Sequence, residues 1–345
     1  RWADRKAPES FEVRYLIDSL SPLTWRRAAL EIERVAPDLV VAPVWTFFLA
    51  PCLAAMLAYL RWRGIRVASV VHNAADHDMG RWRAALISCQ LRQADIHVTH
   101  TPALAAAIRK AVPTARVQVC THPVFCYPKA HGTLPRRAEL ELLMFGLLRP
   151  YKGLDVLLQA LALLEQRSAM LSVVGENWQD MHAIRAQVAR LRLENRVEFV
   201  PRYVSDEETA EYFSRADAVV LPYRSVTGSG VLPLAFHFGK PVVVSRLSGL
   251  FELVEEGRTG WIVPPGDPIA LAKTLEHEVS QSVAFEMRPH IERAQVPWTF
   301  EHFAEVLLQA AELPRRLGEQ PAPKGSTGPV LSRATGGPKG TRRSK

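Results

Sequence analysis

Two short segments of the chain carry the residue types that bind phosphate groups. Arg149 and Lys152 follow one apolar run, and Gly228-Ser229-Gly230 follows another. Glycine lets the backbone approach a ligand closely, and the first N–H groups of a helix have no partner inside that helix. Such amides, together with two cations, suit a diphosphate. The predicted diphosphate ligands are Arg149, Lys152, Gly153, Thr227, Gly228, Ser229 and Gly230.

Apolar runs that alternate with helical patterns must position these segments. The runs in the first part of the chain predict strands at 39–44, 67–71, 96–99 and 117–120. A second series predicts strands at 142–146, 171–175, 197–200, 218–222, 242–244 and 261–263. Continuously apolar strands that alternate with helices are typical of parallel sheets covered on both faces. The pattern therefore predicts an α/β fold with two Rossmann-like domains in series and ligands at the carboxyl ends of the strands.

A stretch rich in Pro, Gly, His and Arg interrupts the alternation between the two series. Such residues are typical of turns and linkers. The predicted organisation is an N-terminal domain at 1–130, a linker at 131–139, a C-terminal domain at 140–298, a closing helix at 299–313 and a basic tail at 314–345.

The net charge of +8 on 345 residues is concentrated in the tail. Residues 314–345 contain eight Lys or Arg and one acid, with much Pro, Gly, Ser and Thr. This composition predicts disorder. A basic tail can contact anionic lipid or nucleic acid, although a solvated extension is the simpler expectation. Because the rest of the chain is close to neutral, we expect no nucleic-acid partner.

The cysteines, Cys52, Cys89, Cys120 and Cys126, form no Cys-x-x-Cys pair. This is typical of a reduced, cytosolic protein. Cys120, His122 and Cys126 raise the question of zinc, but a structural zinc site usually takes four ligands at short paired spacings. The sequence therefore predicts no metal and no bound cofactor.

The most hydrophobic segment, 45–60, is shorter than the roughly 20 residues that span a bilayer. We expect a helix from Trp45 to Arg63 packed on a sheet, and the alternative is a helix lying against lipid near an acceptor site. The expected location is the cytoplasm. If the helix lies against lipid, we expect the protein to attach peripherally to the inner face of the membrane.

The second half also contains a series of motifs in a familiar order. They are Phe145-Gly146 to Arg149-Pro150-Tyr151-Lys152-Gly153, Val173-Val174-Gly175-Glu176, Val204-Ser205-Asp206-Glu207-Glu208 to Pro222, and Gly239-Lys240-Pro241 to Pro265. They are similar to the "GRL…KG", "VGEG", "VSDEEL…ADVFVLPS" and late glycine signatures of one family. Residues 13–313 resemble the retaining nucleotide-sugar glycosyltransferases of family four, in the branch that builds bacterial surface polysaccharides. The resemblance implies the GT-B architecture, in which two Rossmann-like domains face a central cleft.

The resemblance has two departures. The family usually has two glutamates around its phosphate loop, and the aligned positions here fall near Val226 and at Leu234. The surface-polysaccharide branch has a Ser/Thr-Gly loop in their place. The opening strand and glycine loop of the family have no counterpart before Val13, so we expect the N-terminal domain to lack its first strand.

The resemblance implies roles for further residues. His72, Asn73 and His77 look like the branch's "HN…PHE" loop, on the acceptor side of the cleft, and Glu176 and Tyr203 would contact the sugar or the base. His72, Arg149 and Lys152 are the candidate catalytic residues. A strand-end histidine bonded to backbone remains an alternative for His72, and a helix-start acid for Glu176.

The function implied is transfer of a sugar, with retention, from a UDP- or GDP-sugar to a polyprenyl-linked or saccharide acceptor. The missing glutamates and first strand leave an alternative from another class, a non-catalytic GT-B protein that binds nucleotide or acts as a scaffold. Loss of turnover on mutation of Lys152 would distinguish the two.

Overall fold

The computed structural model describes residues 13–72, 80–124, 127–128, 132, 134–164, 168–226, 228–295 and 298–312. These residues form two parallel β-sheets with helices packed around them. The basic tail predicted at 314–345 lies outside the described residues.

The first sheet has four parallel strands in the order of the sequence. They are β1 (Leu39–Val44), β2 (Arg66–Val71), β3 (Ile96–Thr99) and β4 (Val117–Val119). Every residue of β3 is buried, as is every residue of β2 after Arg66. Strands buried on both faces need helices on both sides. The helices of this half are α1 (Pro22–Val35), α2 (Ala50–Trp62), α3 (Arg81–Leu91) and α4 (Pro102–Ala111).

Helix α2 begins five residues later than the predicted Trp45. Pro51 lies in its first turn, where a missing N–H costs nothing and the fixed φ suits a helix start. Trp45 is left exposed before the helix. None of the helices in the described residues has the length and apolar character needed to cross a membrane.

The second sheet has six parallel strands in the order β10-β9-β8-β5-β6-β7. They are β5 (Leu140–Phe145), β6 (Ala169–Val174), β7 (Val197–Val200), β8 (Ala218–Leu221), β9 (Val242–Ser245) and β10 (Gly260–Val263). From β5 the chain first builds outward through β6 and β7, and then returns to β8 on the other side of β5. The order therefore reverses between β5 and β8, which is where ligands bind in open α/β sheets.

Seven further helices lie in the described part of the second half of the chain. They are α5 (Leu154–Ala162), α6 (Met181–Arg190), α7 (Asp206–Arg215), α8 (Val231–His237), α9 (Pro268–His277), α10 (Gln281–Ala294) and α11 (Phe300–Ala310). Ser205 and Glu208 form a reciprocal capping box at the start of α7. Side chains of Asp180, Asp267 and Ser280 cap α6, α9 and α10.

Helix α11, the predicted closing helix, packs against the first sheet although it follows the second in sequence. Arg66 of β2 donates a hydrogen bond to the carbonyl of Ala311, and Arg116 pairs with Glu312 at 2.8 Å. At its other end the Phe303 ring lies 6.1 Å from the His100 ring. The helix thus ties the end of the described chain to the N-terminal sheet.

Candidate functional site

The reversal of strand order brings two of the sequence motifs together. β5 ends at Phe145 and leads through Gly146 to a 3₁₀ turn at Pro150–Lys152. Neighbouring β8 ends at Leu221 and leads to the loop before α8. Because the two strands pair through Leu142 and Leu143, their carboxyl ends open on the same edge. Arg149 and Lys152 therefore lie at the switch point of the sheet.

Glycines let three loops meet at this edge. Gly146, Gly153 and Gly175 all have positive φ, at +88°, +69° and +136°. A Cβ on Gly175 would overlap the carbonyl of Gly146, and one on Gly153 would overlap the carbonyl of Pro222. The packing itself therefore requires glycine at 153, and the predicted contact of Gly153 with a diphosphate stays a prediction.

Lys152 is only 5% exposed. Its Nζ donates to the carbonyl of Phe145 at 3.3 Å and lies 5.5 Å from the centre of the Tyr223 ring. Burial, aided by the charge of Arg149, lowers the pKa of Lys152 to about 8. No carboxylate among the described residues forms an ion pair with it. A buried cation without a counter-ion costs stability, and a bound anion would offset that cost.

Arg149 lies beside Lys152 and packs on an aromatic ring. Its guanidinium carbon is 4.6 Å from the centre of the Trp178 ring. Stacking of this kind holds the guanidinium while leaving its N–H groups available to a ligand. Within the ranges that the structure describes, Arg149 also has no acidic partner.

The loop before α8 is anchored at its start. Arg224 forms a bidentate pair with Asp155 at 2.6 and 2.5 Å, and the buried Tyr223 hydroxyl hydrogen-bonds Ser229. Ser229 Oγ in turn accepts from the Val231 amide at 3.3 Å. Helix α8 has seven residues and no side-chain cap. Thr227, a predicted ligand, lies outside the described residues.

Gly228 and Gly230 differ from the glycines under the sheet edge. Neither has a positive φ, and a Cβ on either would meet no described atom within 4 Å. The fold in the described region therefore does not require glycine at these two positions. Close approach of a ligand to the backbone is a remaining physical reason for glycine there.

The two residues expected near the sugar or base are exposed. Glu176 follows β6, and its carbonyl accepts from the Leu148 amide at 2.8 Å, which places it beside the Arg149 segment. Tyr203 follows the edge strand β7 and is 54% exposed. Their sugar and base contacts stay predictions.

On the first sheet, three histidines meet at the carboxyl ends of adjacent strands. His72 follows β2, His100 follows β3, and His122 lies three residues after β4. The centres of their rings are 4.6 to 5.6 Å apart. Trp45 covers His72, at 5.4 Å between ring centres. We call these three residues the histidine cluster.

Burial lowers the pKa of every member of the histidine cluster. It falls to about 4 for His72 and about 3 for His100, with the neighbouring rings adding to the effect, and it is also lowered for His122. The rings are therefore neutral at pH 7. Among the described residues, the ring of His72 bonds the ring of His100 rather than a backbone carbonyl, whereas the rings of His100 and His122 bond the carbonyls of Cys120 and Pro123.

Sequence reasoning found His72 but not its two partners. The available signal was a histidine shortly after each of three successive predicted strands, since the carboxyl ends of adjacent parallel strands meet at one edge. The other acceptor-side candidates, Asn73 and His77, lie outside the described residues.

Comparison with known proteins finds a family model that matches part of the C-terminal half. Residues 139–280 match the family model described as "Glycosyl transferases group 1". A relative in Xanthomonas campestris pv. campestris, named "GDP-mannose:glycolipid 4-beta-D-mannosyltransferase", is 28% identical over 61% of this chain and 59% of its own length. A Streptomyces scabiei relative named "D-inositol 3-phosphate glycosyltransferase" is 32% identical over 42% of this chain and 36% of its own. The chain thus spans less than two thirds of these relatives.

The fold extends the similarity to both sheets. An Anabaena HepE structure in complex with UDP superposes with a TM-score of 0.67 over 86% of each chain, at 19% identity. At that identity the likeness concerns the fold. Together the comparisons support the GT-B fold, and the parallel sheets of this chain have that architecture.

Proposed function

We propose that the protein transfers a sugar, with retention, from a UDP- or GDP-sugar to a polyprenyl-linked or saccharide acceptor. The observation that carries the proposal is Lys152, a buried cation at the switch point without an acidic partner among the described residues. The relatives support it, since the Xanthomonas protein is named for a GDP-sugar donor and a glycolipid acceptor.

The chemistry asks for stabilisation of the leaving diphosphate. As the glycosidic bond breaks, the sugar gains oxocarbenium character and the diphosphate gains negative charge. Lys152 and Arg149 would neutralise that charge, and each fixed donor of this kind can contribute about 3 kcal/mol. In this proposal Arg149 and Lys152 stabilise the charge of the leaving diphosphate, and no metal ion binds the diphosphate.

The remaining predicted contacts complete the proposed donor site. Amides at Gly228 and Gly230 would approach the phosphates, while Glu176 and Tyr203 would contact the sugar or base. His72 would face the acceptor hydroxyl from the first sheet. Because the Xanthomonas relative is named for a glycolipid acceptor, we place the reaction at the inner face of the membrane, with the protein attached peripherally.

The first experiment is calorimetric titration of UDP, GDP and ADP into the purified chain. Saturable binding of one nucleotide names the donor class. Lys152→Met removes the charge while filling the same buried space and should abolish that binding, and Arg149→Ala should weaken it. Lys240→Met is the matched control, because burial also lowers the pKa of Lys240 to about 8, and among the described residues its Nζ bonds the backbone carbonyl of Ser214.

Turnover and product stereochemistry test the rest. Nucleotide binding with no transfer to any glycolipid or saccharide acceptor would favour the non-catalytic alternative. An α-linked donor should give an α-linked product, visible in the one-bond C1–H1 coupling by NMR. A β-linked product, such as the name of the Xanthomonas relative specifies for that protein, would overturn retention while leaving the diphosphate site standing.

A further inference from the structure

The histidine cluster has the composition of a transition-metal site. One ring nitrogen from each of His72, His100 and His122 can be chosen so that all three lie within 4.8 Å of one another. The rings come from three separate strand ends, so the sheet holds them in place. All three are half-buried, which leaves the cluster accessible from the strand-end edge.

Backbone carbonyls fix which nitrogens carry lone pairs. Nδ1 of His100 lies 3.0 Å from the carbonyl of Cys120, and Nδ1 of His122 lies 2.8 Å from the carbonyl of Pro123. Since a carbonyl only accepts, both Nδ1 atoms carry the proton and both Nε2 atoms carry a lone pair. A backbone carbonyl on the second ring nitrogen is the partner that metal-bound histidines commonly have.

The closest pair of nitrogens already has the spacing that a shared ion needs. His72 Nδ1 and His100 Nε2 are 3.2 Å apart. Two nitrogens bound tetrahedrally to one zinc, at about 2.0–2.1 Å each, lie roughly 3.3 Å from one another. With no ion bound, the same distance serves a hydrogen bond from His72 to His100. Metal binding at Nδ1 requires the other neutral tautomer of His72, so its proton would move from Nδ1 to Nε2 by exchange with solvent.

We propose that the histidine cluster binds one divalent transition-metal ion of the zinc class, through Nδ1 of His72 and Nε2 of His100 and His122. One nitrogen from each ring already lies within 4.8 Å of the other two, and tetrahedral coordination would bring the wider-spaced nitrogens closer together. Three nitrogen donors and no carboxylate in the cluster favour zinc over magnesium or calcium. The fourth position is left to water or to an oxygen of a bound ligand.

This site was not foreseen from the sequence, which pairs His122 with Cys120 and Cys126 and predicts no metal. In the fold Cys120 contributes its carbonyl to the site, and its thiol is buried with a raised pKa. The partners of His122 are distant in sequence and adjacent in space.

Titration of zinc into the chelator-treated chain tests the proposal directly, independently of any sugar transfer. We expect one ion per chain by calorimetry, and with cobalt the visible absorption bands of a tetrahedral nitrogen site. His100→Gln and His122→Gln should each weaken zinc binding by more than about tenfold. His182→Gln, an exposed histidine on α6, and Cys89→Ser, an exposed free thiol, should leave it unchanged.

Either of two results would overturn the proposal: no saturable zinc binding by the folded wild-type chain, or binding that survives in the His100→Gln, His122→Gln double variant. If His100→Gln fails to fold by circular dichroism, His122→Gln alone decides. Magnesium should not compete at equal concentration.

Discussion

The two sheets have the same parallel architecture, but different kinds of side chain lie at their carboxyl edges. The edge of the second sheet gathers Arg149 and Lys152, and the edge of the first gathers the histidine cluster. Burial lowers the pKa on both edges, yet Lys152 at about 8 keeps its charge at neutral pH, whereas His72 at about 4 and His100 at about 3 lose theirs. One edge therefore presents positive charge to an anion and the other presents lone pairs.

At the opposite edge of the second sheet, two arginines are paired with acids. There Arg136 binds Asp217 at 2.7 Å, and Arg215, only 5% exposed in its side chain, binds Glu198 at 2.8 Å. Pairing of buried charges is the expected outcome, because an unpaired one is costly. Among the described residues Lys240 also lacks an ion-pair partner, but Arg149 and Lys152 are two such cations close together at the switch point, which makes that edge the candidate site.

The largest expected effect is the loss of function in Lys152→Met. Turnover should fall at least about 100-fold, because one fixed donor to the developing charge is removed. The free energy of unfolding should stay level or rise, since a buried charge disappears. Steady-state rates and urea denaturation measure the two. A variant that loses both activity and stability would show that Lys152 serves the fold.

The second largest expected effect is the loss of stability when a methyl group is added to Gly153, where the loops meet at the edge of the second sheet. Gly153 and Gly257 have the same φ of +69°, but a Cβ on Gly153 would overlap Pro222 while one on Gly257 would meet no described atom within 4 Å. Gly257→Ala should therefore cost only about 1–2 kcal/mol of backbone strain. Gly153→Ala should cost clearly more, about 3–4 kcal/mol, or prevent folding. Equal costs in urea denaturation would show that the loops do not meet as described.

The charge on Lys152 also predicts the pH dependence of nucleotide binding. Bound diphosphate favours the protonated lysine and so raises its pKa above the value of about 8 in the free protein. Below pH 8 the proton is present in both states and affinity is flat. Above pH 8 binding must take up a proton, so affinity should fall by up to about tenfold per pH unit. Calorimetry between pH 7 and 9 measures this, and Lys152→Met should remove the slope from any residual binding.

Much of the fold follows from the sequence because its strands are continuous apolar runs. All ten strands lie within two residues of their predicted ends. Helices α9 and α10 were not predicted. In α10 the interior Pro289 contradicts a helix by local rules, and burial of Met287 and Ile291 against the core outweighs it. Local pattern also missed the packing of α11 on the first sheet, since nothing near Phe303 encodes contact with His100.

The two candidate sites also differ in how far the sequence predicts them. Arg149 and Lys152 are three residues apart in a motif, so sequence alone brings them together. Successive members of the histidine cluster are 28 and 22 residues apart in sequence, and only strand order makes them neighbours. The sequence also does not show why glycine is present at each position. A Cβ on Gly153 would overlap the carbonyl of Pro222, whereas a Cβ on Gly228 would meet no described atom within 4 Å.

The smallest expected effect is that of Gly228→Ala, at a glycine that the described fold does not require, unlike Gly153. Gly228→Ala places a methyl group in open space at a φ that alanine accepts, so the free energy of unfolding should be unchanged or raised by up to about 1 kcal/mol. If the diphosphate approaches this backbone, the same methyl group should weaken nucleotide binding by about 1 kcal/mol, roughly fivefold. Calorimetry and urea denaturation on one preparation compare the two quantities. Weaker binding at full stability would assign the loop to the ligand, whereas unchanged binding would confine the diphosphate to the Arg149 and Lys152 side of the edge.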